Sequence, residues 1–213
     1  MSLVIAIDGP AAAGKGTLAK RLAQHFGLPH LDTGLLYRAT GRRVLDEGGD
    51  PADPATAQAA ARALQPADLE RPDLRGPQAD AAAAAVASIQ GVRAALLAFQ
   101  RGFGDGPGAV LDGRDIGTVV FPHARAKLFV TASAEARGRR RWLELRARGI
   151  AADLDEVTDQ VRFRDAQDRD RAAAPLVAAA DALRLDTTDL DADATFAVAL
   201  ELLRARLSPA RSA

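Results

Sequence analysis

The stretch LVIAIDGPAAAGKGTLAK, residues 3–20, decides the architecture. Residues 3–8 run apolar as far as Asp8, too short for a helix and without polar alternation, which predicts a strand buried on both faces. A glycine-rich turn follows, and the spacing of Leu18, Leu22 and Phe26 predicts a helix over 15–26 that stops at Gly27. Gly9, Gly14 and Lys15 satisfy G-x-x-x-x-G-K between that strand and that helix. Backbone N–H groups of such a loop curl around a phosphate, the helix N-terminus adds partial positive charge, and the lysine reaches the outer phosphates. Pro10, Ala11, Ala12, Ala13, Gly16 and Thr17 complete the loop as binding residues for a nucleoside triphosphate. Gly16 stands where Ser or Thr would contact Mg²⁺, with Thr17 directly after. No protein ligand for the metal is therefore assigned.

The 213 residues can bury one substantial core. Formal net charge is zero, which argues against a nucleic-acid polymer as partner. The absence of cysteine excludes disulfides, thiolate catalysis and cysteine-ligated zinc. No stretch approaches a membrane span, and the alanine-rich run DAAAAAVA, beginning at Asp80, is helix-forming, so a soluble, cytoplasmic protein is expected. The only lysines are Lys15, Lys20 and Lys127, a compositional bias that makes arginine abundance alone uninformative.

Further strands are predicted at 28–32, 108–113, 126–132 and 182–188, and helices near 34–47, 79–101, 134–147, 153–172 and 191–207. Strands separated by helices indicate an α/β fold, a five-stranded parallel sheet flanked by helices, with its site at the carboxyl ends of the strands. Residues 48–80 break the rhythm: prolines 51, 54, 66, 72 and 77 make this a helical, loop-rich insertion.

Four clusters near the expected strand ends carry candidate chemistry. Asp32, Thr33 and Arg38 in LDTGLLYR offer an acceptor, a hydroxyl and a phosphate clamp, or equally a helix cap with a surface arginine. Arg114 and Asp115 emerge on a glycine-flanked loop in LDGRDIGT. The segment RGRRRWLELRARG, residues 137–149, reads mostly as a solvated helix face, with one or two arginines able to reach a triphosphate. In the helix near 154–171, Leu154, Val157 and Val161 form an apolar stripe that continues as Arg164, Asp168 and Arg171. Either that row overhangs into solvent with its own ion pairs, or something charged sits opposite. Phosphoryl transfer would unite the clusters, because it needs positioning and cationic stabilisation around one dianion, under covers that exclude water.

The motifs IDGPAAAGKGT, LDTGLLYR, GVRAALLAFQR, LDGRDIGTVVFP and RDAQDRDRAAAPLVAAADALRLDTT occur in order between residues 7 and 188. Together the chain resembles the bacterial cytidylate (CMP) kinase family, of the P-loop NTPase fold. The resemblance implies a single kinase domain over 1–213, with an acceptor-binding insertion at 48–92 and an arginine-rich lid at 137–155. It implies ATP with Mg²⁺ as donor, CMP and dCMP as acceptors, and a monomer. Gly9 to Thr17 would hold the ATP phosphates, with Lys15, Arg114, Arg164 and Arg171 catalytic. Thr33, Arg38 and Arg114 would lie at the CMP phosphate, with Asp32 also among the substrate-binding residues, and Arg93 and Asp115 would read the cytosine edge. Arg164, Asp168 and Arg171 would contact the acceptor's phosphate and ribose.

Two departures bear on base recognition. The family usually carries a serine where this chain has Ala84, with Ser88 one helical turn along as a substitute. Its insertion usually holds a small antiparallel sheet, yet residues 60–80 show no strand alternation. A kinase for UMP, AMP or a small metabolite, and a non-catalytic ATP-binding regulator, are the competing readings.

Overall fold

The computed structural model describes residues 2–208. Five strands, β1 (Leu3–Asp8), β2 (His30–Asp32), β3 (Gly108–Gly113), β4 (Ala126–Thr131) and β5 (Leu183–Asp186), form one sheet in the order β2-β3-β1-β4-β5. The pairs β1–β3, β1–β4 and β4–β5 are parallel. Every residue of β3 is buried, as a strand covered on both faces requires.

Two compact units divide the chain, one built on residues up to His30 and from Gly106 onward, the other on Leu31–Asp105. In the first unit, Ile5, Ile7, Val110, Leu128, Val130 and Leu185 pack with Leu18 and Leu22 of helix α1 (Lys15–Phe26) and Leu203 of helix α8 (Ala192–Leu207). Helices α6 (Ala134–Ala147) and α7 (Leu154–Asp170) pack on each other. α7 turns Val157, Thr158 and Val161 inward, while Phe163 is exposed. The expected stripe is thus bounded by Val157 rather than by Leu154, which lies at the exposed helix start.

The second unit is helical: α2 (Thr33–Asp46), α3 (Pro54–Arg62), a short 3₁₀ turn (Pro66–Glu70), α4 (Pro77–Ala87) and α5 (Gln90–Gly104). Pro54, Pro66 and Pro77 each open one of these helical segments, where a missing N–H costs nothing. Three of the prolines that suggest a broken region therefore start structure in it. No strand lies between β2 and β3, so the 48–92 region, which falls inside this unit, is helical.

The continuous helix expected over 79–101 is two helices, α4 and α5, bent by 99°. Ser88 folds its N–H and its hydroxyl back onto the Ala85 carbonyl, and Ile89 adopts an extended backbone as the N-cap of α5. Neither residue is Pro or Gly, so the break has no local signature. No single helix among the described residues is long and apolar enough to cross a membrane.

Candidate active site

The phosphate loop emerges from β1 as expected. Gly9 passes so close to the Val130 carbonyl that a side chain would collide with it, and its φ of 151° is open only to glycine. Helix α1 then begins at Lys15, which is buried and donates from Nζ to the Pro10 carbonyl at 2.7 Å. Two more carbonyls of the loop are held from behind. Arg137 Nη1 donates to Ala11 O at 3.3 Å, and the Thr187 hydroxyl shares its one proton between Ala13 O at 3.2 Å and Thr131 O at 3.1 Å. Thr187 also meets Arg140, whose guanidinium donates to its hydroxyl and its carbonyl. The curl of the loop is thereby fixed by tertiary contacts as well as by its glycines.

Those bonds revise the reading of the arginine-rich segment. Arg137 is 4% exposed and pairs with Asp165 through both Nη groups, at 2.8 and 2.5 Å, while its Nε donates to Ala132 O at 2.9 Å. It is a buried fastener, not part of a solvated face. Farther along, Arg141 pairs with Glu144, and Arg146 stacks over Trp142.

Asp8, the last residue of β1, is the principal residue that sequence reading missed. Its carboxylate accepts from the N–H groups of Ile116 and Gly117, each at 2.7 Å, and so ties the root of the phosphate loop to the loop carrying Arg114 and Asp115. Burial pushes its carboxyl up to about 6, opposed by those two N–H groups, raised further by Asp115 and lowered by Lys15. The chain after Asp115 makes one π-helical turn, Ile116–Val120, a local widening common at functional sites. The available signal was a single charge ending an otherwise apolar strand.

Arg114 leaves that loop toward α7, where its Nε donates to Asp168 Oδ2 at 2.7 Å. Arg171 Nη1 stands 3.9 Å from Asp168 Oδ1, and its Nε donates to Ala173 O at 2.8 Å. Burial alone would raise the Asp168 carboxyl, but Arg114, Arg164 and Arg171 together hold it below the usual carboxylate range. The charged row on α7 is thus faced from within the protein by Arg114. One carboxylate thus gathers three guanidiniums, a grouping suited to an anionic ligand. Asp115 itself is buried beside this cluster's root.

In the second unit, Asp32 caps α2 by accepting from Gly34 N at 3.0 Å, and Thr33 is buried in the first turn. Arg38 Nε donates to Asp80 Oδ1 at 3.1 Å. Arg93 lies 5.6 Å from the Tyr37 ring centroid and donates to Ala87 O at 3.4 Å. Ser88 is exposed, ends α4, and donates its hydroxyl to Ala85 O at 2.7 Å.

Comparison with known proteins gives the family. The family model described as cytidylate kinase matches residues 5–205. The chain is 64% identical to the cytidylate kinase of Acidiphilium cryptum (strain JF-5), over 94% of this chain and 95% of that one. It is 61% identical to that of Granulibacter bethesdensis (strain ATCC BAA-1260 / CGDNIH1), over 96% and 98%. Among solved structures, an uncharacterized protein from Eubacterium ventriosum ATCC 27560 shares the fold with a TM-score of 0.51 at 13% identity, over 95% of this chain and 98% of that one. The chain belongs to the cytidylate kinase family.

Proposed function

We propose that this protein transfers the terminal phosphoryl group of ATP directly to CMP, and to dCMP, giving CDP or dCDP and ADP. The observation that carries the reading is the pairing, within one unit, of a phosphate loop with a carboxylate-organised arginine cluster. The residues of the loop from Gly9 to Thr17 bind the donor phosphates, and Lys15 exchanges its bond to Pro10 O for phosphate oxygens. Arg114, Arg164 and Arg171 neutralise the transferring group and the acceptor phosphate, the main task in a transition state with little covalent participation by the protein. Asp168 orients those guanidiniums and accepts from the acceptor's ribose. Thr33 and Arg38, with Asp32 as cap, are acceptor-phosphate contacts. Arg93 and Asp115 complement the donor and acceptors of the cytosine edge.

Among the described residues no three His, Asp or Glu side chains cluster as a metal site. With Gly16 offering no hydroxyl, Mg²⁺ would be held by phosphate oxygens and water, with Asp112, whose Oδ2 lies 4.0 Å from the point a Gly16 side chain would occupy, as the nearby carboxylate. When bound, the metal supplies charge neutralisation on the donor phosphates. Residues 48–92 form the acceptor-binding region, and 137–155 the lid, with buried Arg137 as its anchored end. The enzyme acts as a cytoplasmic monomer.

The test is ADP release from Mg²⁺–ATP with CMP, dCMP, UMP and AMP as acceptors. CMP and dCMP should stimulate release far above the others. Equal stimulation by UMP or AMP would make it a different monophosphate kinase, and no stimulation by any acceptor would remove the kinase reading.

A further inference from the structure

Helices α2 and α4 approach closely because Gly41 has no side chain: a Cβ there would stand 2.7 Å from the Ala82 Cβ and 2.9 Å from its carbonyl carbon. Arg38 precedes Gly41 by three residues and Asp80 precedes Ala82 by two, so the contact that joins the small residues brings the two charges within reach. Arg38 Nε meets Asp80 Oδ1 at 3.1 Å, with the two side chains 20% and 16% exposed. Asp80 stands in the first turn of α4, where the helix N-terminus favours its negative charge. The other end of the guanidinium folds back along α2. Its Nη1 lies 2.9 Å from the point a Gly34 side chain would occupy, and Asp32 Oδ1 lies 3.0 Å from that same point.

A guanidinium is planar, with Nε–H on one edge and the Nη groups beyond it. Binding Nε to a fixed carboxylate sets the plane, and here it brings Nη1 to the first turn of α2. We propose that Asp80 is a positioning residue for the acceptor phosphate, holding Arg38 by its Nε edge so that its Nη groups are presented at the N-terminal turn of α2. This inference rests on the reading of Arg38 as an acceptor-phosphate contact. A carboxylate that merely competed with phosphate for the guanidinium would have the opposite kinetic effect, because its removal would tighten acceptor binding.

Initial rates of the full-length chain, with CMP varied at saturating ATP and the reverse, separate the outcomes. Arg38→Ala should raise the KM for CMP by about 30-fold or more, the loss of a charge-assisted phosphate contact. Asp80→Ala should raise it by roughly tenfold while the KM for ATP and the melting temperature stay near wild type. Asp80→Asn keeps an oxygen for Nε–H and should recover most of that loss. The double variant should be no worse than Arg38→Ala, since the two residues act as one device. If Arg38→Ala raises the KM for CMP but Asp80→Ala leaves it unchanged or lowers it, the positioning role is overturned and the reading of Arg38 stands. If Asp80→Ala shifts both KM values and the melting temperature together, the pair is structural and the proposal also falls. If Arg38→Ala leaves the KM for CMP unmoved, the acceptor reading itself fails, and the role of Asp80 with it.

Discussion

Arg114 donates from Nε to Asp168 Oδ2 at 2.7 Å, across 54 residues of sequence, and this bond joins the loop after β3 to the last turn of α7. It answers why a helix should continue an apolar stripe with charge. The carboxylate is surrounded by Arg114, Arg164 and Arg171, whose positive charge holds it ionised against its burial.

Asp168→Ala should therefore act on acceptor binding before it acts on folding. Without the carboxylate the guanidiniums repel one another and lose their common orientation. The KM for CMP should rise about tenfold or more, with kcat falling by roughly 10²-fold as for other losses of transition-state charge stabilisation. Steady-state kinetics with each substrate varied checks this. An unaltered KM for CMP would assign the row to structure alone.

Asp8 should give the protein a stability term that runs against the usual acid behaviour. Burial raises its carboxyl from 3.8 to about 6 in the folded protein, so the native state holds the proton more tightly than the unfolded chain. Its contribution is then fully present below about 3.8 and is lost as pH rises through about 6. Asp8→Asn has no such titration. The stability difference, wild type minus variant, should shrink between pH 4 and pH 7 by on the order of 3 kcal/mol. Denaturant melts across that range measure it, and a constant difference would contradict the assignment. Asp168, held low, contributes with the opposite sign: its share is lost as pH falls through its depressed value.

Arg137→Ala should unfold the protein more readily without removing a substrate contact. Its loss leaves Asp165 without the bidentate partner it has in the buried ion pair, and frees the Ala132 and Ala11 carbonyls. Breaking such a pair costs about 3 kcal/mol or more. Urea denaturation should show that loss, while KM for CMP at low temperature stays within about twofold of wild type.

Short apolar runs located β1 and β3 to the residue, the spacing of Leu18, Leu22 and Phe26 located α1, and α6 also has its expected bounds. What it could not see were contacts between distant residues. Asp8 finds its donors 108 and 109 positions away, and Arg38 finds Asp80 across 42. The oddity of Arg164, Asp168 and Arg171 on an apolar stripe was legible, whereas the identity of their internal mate was not. Similarly, Ser88 reads as a helix residue until its hydroxyl is seen capping the Ala85 carbonyl. Composition also left Arg137 unmarked: nothing in a run of arginines distinguishes the one that is buried.

The phosphate loop is held from behind by Arg137 and Thr187, residues of α6 and of the chain just past β5. Its shape therefore belongs to the finished domain and not to the first thirty residues that encode its motif. During synthesis the loop would leave the ribosome long before its fasteners, and would acquire its grip on phosphate only once the final third of the chain had joined the sheet. A transplant of residues 3–26 into another strand–helix unit would carry the signature of nucleotide binding without the scaffold that shapes it.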